Sequence, residues 1–389
     1  MKELFLETRK CECCGGDELE FVYSDKTHVK THDEIYLFNA YVVICRRCGF
    51  CFNSPCPAKE GLENYYADCY SVNALLPPAY SIDARIKVLK KYAFREASFV
   101  EIGGNQSDKF HEKLAKYMGS IQNVEPNNEC SPNLKSMDKI AEASVDILAS
   151  YDVLEHIPKV KEFLRSCRKI LKDGGIMMVE VPDVKLYERN LMLISVLHVN
   201  HFSAHTLERI AGDEGFKLVE IRRADSSRPL TGFLAVFKKD VNSGQNRVEY
   251  LDALASLKGS LRQIDKLNNH IVSLRQKITE LSGENKKITL WCVTSFLGKL
   301  IDNFKLPKNI VVIDSDIRKK EYFKERGIPI FTPDDCLEYI KNSELLVILS
   351  PRNKENISEW IRKNFGKSFN FDKVEVVGSG LYGEVYNNL

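Results

Sequence analysis

The sequence has no apolar run that reaches the ~18–20 residues needed to cross a bilayer. Residues 1–14 lack the apolar core and small-residue cleavage site of a secretion signal. The expectation is a cytoplasmic protein without a membrane partner. Charge of one sign is also missing: 56 Lys and Arg stand against 54 Asp and Glu, a net of +2. Nucleic acid would call for a concentrated basic face, so no nucleic-acid partner is expected. What is present is ordinary globular material, 44% hydrophobic and 28% charged. Domains usually hold roughly 100–200 residues, so 389 residues imply two or three of them.

Cysteine is scarce after the first 70 residues, where only Cys130, Cys167, Cys292 and Cys336 occur out of twelve. The eight others crowd into the N-terminal segment, which argues for reduced thiols and a metal rather than disulfides. Cys11/Cys14 and Cys45/Cys48 are two C-x2-C pairs, the ligand set of a zinc-ribbon-like site. Each pair would present two thiolates from a tight turn, and two turns complete a tetrahedron. Four thiolates leave no open position, so this Zn2+ would be structural. Cys13, Cys51, Cys56, His28 and His32 are alternative ligands.

Four regions follow from composition and periodicity: 1–75, rich in Cys, Tyr and Gly; 76–240 and 286–389, with strand–helix alternation; and 241–285, a polar stretch with leucines at helical spacing. In the third, Leu254, Leu257, Leu261, Ile264, Leu267, Ile271, Leu274, Ile278 and Leu281 make one apolar stripe. It reads either as a helix packed on its own chain or as a homodimer seam.

Residues 98–102 form an apolar strand pattern ending in Glu101-Ile102 and followed by Gly103-Gly104-Asn105, then a helical pattern from Asp108. That is the opening unit of a doubly wound sheet, whose ligands sit at the carboxyl ends of strands. A second strand pattern ends at Glu125-Pro126. An acid about 20 residues past such a turn holds a ribose diol in folds of this kind. Strand patterns recur at 145–149, 176–181 and 233–237, the first running on into Ser150, Asp152, Glu155 and His156.

Glu-Ile-Gly-Gly-Asn, Val-Glu-Pro, Asp-Val-Leu-Glu-His-Ile and Leu-Lys-Asp-Gly-Gly occur in order. Together they resemble a class I S-adenosylmethionine (SAM)-dependent methyltransferase, an α/β fold. The wider layout is similar to the three-domain sugar C-methyltransferases, which join a four-cysteine zinc domain, a SAM domain and a Rossmann-like C-terminal domain. The resemblance implies carbon methylation of a nucleotide-linked sugar. It also implies that Gly103, Gly104 and Asn105 line the methionine and ribose side of SAM. Glu125 would hold the ribose hydroxyls, and Ser150 and Asp152 would lie beside the methionine end. Glu101 has two readings, cofactor contact or a brace for the loop. Gln106-Ser107 stands where the family has Asp-Gly.

Carbon methylation needs a base near neutral pKa, which suits histidine. Residues 196–203 resemble the family's His-Glu-His-x-x-Tyr-Phe-Ser stretch, which makes His198 the expected base, with His201 in the tyrosine position as a helper. Val196 and Leu197 replace the family's first histidine and its glutamate. Tyr65, Tyr66 and Tyr70 read as a lid or as interdomain packing. In the last region strand patterns at 287–292, 310–314 and 345–349 outline a second βαβ half. Only Gly298 remains of its glycine turn, so it reads as a substrate platform or support. Alternatives to the sugar C-methyltransferase are an inactive methyltransferase-like scaffold and an O- or N-methyltransferase acting on another small molecule.

Overall fold

The computed structural model describes residues 6–30, 35–69, 82–104, 108–127, 134–189, 194–223, 232–240, 250–293, 297, 300, 306–316, 328–350 and 353–377. The chain divides into two compact units, Met1–Ser260 and Leu261–Leu389. No described helix is long and apolar enough to cross a membrane.

The first unit opens with β1 (Leu6–Glu7), β2 (Leu19–Lys30), β3 (Ile35–Cys45), β4 (Cys51–Asn53) and β5 (Cys56–Pro57). β2, β3 and β4 form an antiparallel meander, with Leu19 opposite Cys45 and Ile44 opposite Cys51. The run Val42–Cys45 is buried throughout, so this end of the ribbon is covered on both faces. Helix α1 (Lys59–Asn64) continues into a π-helical turn, Tyr65–Cys69.

The central sheet follows: α2 (Ile82–Leu89), β6 (Ser98–Ile102), α3 (Asp108–Leu114), β7 (Ser120–Val124), β8 (Val145–Tyr151), α4 (Val160–Ile170), β9 (Leu171–Pro182), β10 (Asn200–His201), α5 (Ala204–Asp213), β11 (Phe216–Arg223) and β12 (Gly232–Lys239). Its strand order is β11-β12-β9-β8-β6-β7, parallel apart from β12, which runs against both neighbours. β6 and β8 are almost wholly buried because helices cover both faces. Helix α4 shows how: Val160, Phe163, Leu164, Cys167 and Ile170 form its buried stripe. Helix α5 starts at a capping box, in which Ser203 Oγ accepts from Thr206 N and Ser203 N donates to Thr206 Oγ1. The chain steps from β6 outward to β7 and then back across to β8. The order therefore reverses between β6 and β8, where doubly wound sheets open a crevice at their carboxyl edge.

β10 does not join this sheet. It extends the N-terminal meander, pairing Asn200 with Phe52 and His201 with Cys51.

Helix α6 (Tyr250–Gly283) contains the division between the units. Leu267, Ile271, Leu274 and Ile278 are buried within the single chain, so this length of the apolar stripe is already covered without a second copy. The side chains of Leu257, Leu261 and Ile264 lie outside the described residues. The second unit holds an all-parallel sheet of β13 (Ile288–Trp291), β14 (Ile310–Ile313), β15 (Ile330–Phe331), β16 (Leu345–Ile348) and β17 (Val374–Val376), in the order β15-β14-β13-β16-β17. Asp314, just past β14, accepts from the backbone N–H groups of Val293 and Asp316 at 2.7 and 2.9 Å, so its carboxylate ties down the turn. Gly298 lies outside the described residues.

Candidate active site and cysteine cluster

Cys11, Cys14, Cys45 and Cys48 converge, with all four sulfurs within 4.8 Å of one another. The Cys11–Cys48 and Cys14–Cys45 pairs are each 3.5 Å apart. Four sulfurs at about 2.3 Å from one zinc ion lie roughly 3.8 Å from each other, so the set fits that ion. Two matching turns build it. Gly15 N donates to Cys11 O and Gly49 N to Cys45 O, at 2.7 and 2.8 Å. Both glycines adopt left-handed φ, +71° and +72°. The repeated Cys-x-x-Cys-Gly is the sequence signal of this internal symmetry. Among the alternative ligands, Cys51 donates its thiol to Gly49 O instead, and Cys13 and Cys56 are buried outside the foursome. His32 and the side chain of His28 lie outside the described residues.

At the carboxyl edge of the central sheet, pairing places Ile102 beside both Val124 and Ser150. Glu101, Gly103, Gly104, Glu125 and Ser150 therefore cluster at three adjacent strand ends; Asn105 lies outside the described residues. The glycines are imposed by the protein's own packing. A Cβ on Gly103, at φ +80°, would come within 2.3 Å of Val153, and one on Gly104 within 2.5 Å of Asn123 Oδ1. Glu101 is buried and meets His111 Nε2 of α3 at 2.5 Å. Glu125 Oε1 accepts from Asn127 N at 2.9 Å, and Asn127 Nδ2 donates to Tyr66 O. Ser150 Oγ is buried with no hydrogen-bond partner among the described residues.

Beyond β8, Asp152 takes φ +55° and donates its N–H to Glu180 O at 2.9 Å. Arg85, from α2, reaches Glu180 Oε2 at 2.8 Å and Asp152 Oδ2 at 3.5 Å, and lies over the Tyr151 ring. Desolvation and the neighbouring Glu180 push the partly exposed Asp152 carboxyl above the usual range against the pull of Arg85. Glu155 is buried, and its carboxyl is pushed well above the usual range by desolvation and the nearby Asp152.

His156 follows directly. Its Nδ1 lies 3.0 Å from Leu197 O and 2.8 Å from Tyr66 Oη. The carbonyl can only accept, so Nδ1 carries the proton and Nε2 presents its lone pair. Burial pushes the His156 imidazole down to about 4. The His198 ring packs edge-on against it, centroids 4.7 Å apart. Glu155, His156 and His198 bring one ligand atom each within 4.8 Å of one another.

His201 is not in this group. It is buried on β10, with Nε2 donating to Asn53 Oδ1 at 2.9 Å and Nδ1 accepting from Tyr187 Oη at 3.0 Å. Both ring nitrogens are committed, and burial pushes the imidazole down to about 3. The helper role expected from the sequence finds no free ring nitrogen here, since both are hydrogen-bonded to Asn53 and Tyr187.

Several residues of this region escape sequence reasoning. Asn53, on β4 of the cysteine module, donates through Nδ2 to the carbonyls of Ser195 and His198 at 2.8 and 3.1 Å. Asn200 Nδ2 donates to Leu154 O and Ile157 O, which ties the Glu155–His156 turn to the His198 segment. Arg9 donates to Asn53 O, Pro158 O, Val199 O and Asn200 Oδ1, binding the module to both loops. Nothing local marks these residues, since each bond spans more than 40 positions. Tyr66, singled out as a lid residue, does reach His156; Tyr65 is buried beside it, and Tyr70 lies outside the described residues.

One comparison with known proteins falls on the central region. A family model described as a methyltransferase domain matches residues 78–221. Two strains of Mycobacterium tuberculosis carry a protein named "Probable S-adenosylmethionine-dependent methyltransferase" that is 28% identical over 78 residues. That match takes in 20% of this chain and spans only 28% of the relative's length. Among solved structures, a SAM-dependent methyltransferase from Archaeoglobus fulgidus aligns with 18% identity and a TM-score of 0.34, over 41% of this chain and 95% of that one. A SAM-dependent methyltransferase from Mesorhizobium loti aligns with 10% identity and the same TM-score, over 41% and 98%. The sheet order, the glycine turn after β6 and the family match over residues 78–221 agree on one fold, the class I α/β methyltransferase fold, preceded by a cysteine cluster that fits a zinc-ribbon-like module.

Proposed function

We propose that the protein binds SAM across the ends of β6, β7 and β8 and transfers its methyl group to a small molecule. The observation that carries this is the placement of Glu125 one residue beyond β7, beside the glycine turn, inside the segment matched by the methyltransferase family. A carboxylate there can accept both ribose hydroxyls. The buried, unpartnered Ser150 Oγ offers a further polar contact at the neighbouring strand end. SAM supplies an electrophilic methyl on sulfonium. The chain's part is to align the acceptor with it and to let the acceptor's proton go.

The acceptor sits against His156 and His198, whose imidazoles pack edge-on at the loop ends. The resemblance to sugar C-methyltransferases supports a nucleotide-linked sugar or related glycan precursor as the acceptor, with carbon as the methylated atom. Cys11, Cys14, Cys45 and Cys48 hold a structural Zn2+ that sets the ribbon on which Asn53 stands. Calorimetric titration of SAM into the folded, zinc-loaded chain tests the reading, with Glu125→Ala alongside. Micromolar binding lost in the variant is the expected result. Absence of binding to the wild-type chain would leave a methyltransferase-like scaffold.

A further inference from the structure

We propose that Glu155, His156 and His198 form a second metal site, for a divalent first-row transition cation, next to the SAM-binding strand ends. The ligand set is two imidazoles and one carboxylate, a donor combination that suits such ions and leaves coordination positions open. One atom of each lies within 4.8 Å of the others, and His156 Nε2 is 4.0 Å from Glu155 Oε1. Two atoms bound to one ion at about 2.1 Å stand roughly 3.0–3.4 Å apart, so small side-chain movements close the group.

Two independent features point to a cation. The first is the orientation of His156. Its Nδ1–H is held by the Leu197 carbonyl, the outer-shell bond that fixes the tautomer of metal-ligating histidines and frees Nε2 to bind. The second is Glu155: its side chain is 2% exposed, and Oε2 has no hydrogen-bond partner among the described residues. An oxygen so isolated from water is costly unless a proton or a cation meets it. Arg85 does not; it is committed to Glu180 and Asp152.

The open positions would take an oxygen of the methyl acceptor, hydroxyl or carbonyl, and a cation there polarises it and eases loss of the neighbouring proton. The inference deepens the methyl-transfer reading, since it rests on the acceptor lying at this group, but cation binding can be measured without it.

The test adds Co2+ to the full-length chain with its cysteine site already filled by zinc, so that visible absorption reports the second site. Wild type should bind one further equivalent, without a thiolate-to-cobalt charge-transfer band. His156→Ala and His198→Ala should each weaken it at least about tenfold, while Glu155→Gln, nearly isosteric, guards against loss through misfolding. The proposal is overturned if the folded wild-type chain takes up no additional cobalt. Equal uptake by wild type and all three variants overturns it too. SAM affinity is read in the same samples. Cobalt bound through these side chains by a protein that does not bind SAM would support the metal site and refute the methyltransferase reading.

Discussion

Asn53 and His201 share a hydrogen bond of 2.9 Å that joins the cysteine module to the segment carrying His198. The same asparagine holds that segment by two carbonyls, so one side chain satisfies one buried and two partly buried groups. Asn53→Leu should therefore strand His201 Nε2 and the two carbonyls. Each orphaned buried group costs about 1–3 kcal/mol. Denaturant unfolding should show a loss of at least about 2 kcal/mol. In protein that remains folded, methyl transfer should fall more than SAM affinity, because the loop that shifts carries His198, against which the acceptor is proposed to sit.

Gly104→Ala should damage the SAM side instead. The new methyl would meet Asn123 Oδ1 at 2.5 Å and Glu101 Oε2 at 2.8 Å, and would disturb the 2.7 Å bond from Asn123 Nδ2 to Gly104 O. Such overpacking costs about 1–3 kcal/mol. Calorimetry should show SAM affinity reduced about tenfold or more, with the cysteine site still metal-loaded.

Arg85→Met should be among the most destabilising single changes in the first unit. It leaves Glu180, a fully buried carboxylate, without its 2.8 Å partner. Removing one member of a buried pair costs about 3–5 kcal/mol. The double variant Arg85→Met/Glu180→Gln should recover a large part of that in urea unfolding, because the fully buried charge is gone and Asp152 is partly exposed to solvent.

The pH dependence of stability should carry the mark of His201. Its folded-state pKa is lowered to about 3, whereas the unfolded chain binds a proton near 6.5. Below 6.5 the unfolded state holds more protons, so stability is fully present above that pH and falls as pH drops toward 3. The slope approaches about 1.4 kcal/mol per pH unit for this one group. His156 titrates in the same direction, so the measurement is the difference between wild type and His201→Gln. The variant should lose stability less steeply from pH 6 to pH 4.

Zinc removal should act at a distance. Chelation, or Cys45→Ser, should lower the unfolding midpoint by an amount worth several kcal/mol. Small zinc modules gain about 10–16 kcal/mol from the ion. Acceptor turnover should collapse before SAM binding does, because the ribbon holds the His198 loop and the strands proposed to hold SAM belong to a different sheet.

Residues whose placement depends on local chain geometry were legible in the sequence. The two Cys-x-x-Cys-Gly turns, the glycine turn after β6 and the acids at the ends of β6 and β7 are short-range patterns, and so is the apolar stripe of α6. What stayed hidden depends on distant partners. β10 is two residues long and pairs across the module, so no periodicity could announce it. β15 and β17, of two and three residues, escaped for the same reason. His201 reads like a reactive histidine because its neighbours do; only the structure shows Asn53 and Tyr187 occupying both of its nitrogens. His111 gave no signal either, since its partner Glu101 lies across the β6–α3 turn.

The pairing of β10 with β4 bears on how this protein could be inherited or re-engineered. The segment matched as a methyltransferase ends at residue 221 and begins at 78, yet one strand inside it is completed by residues 51 and 52. An exchange of modules at the apparent boundary would transplant half of a hydrogen-bonded ladder. Recombination that preserves function should therefore move the ribbon and the His198 loop together, as a single heritable block whose edges are set by strand pairing.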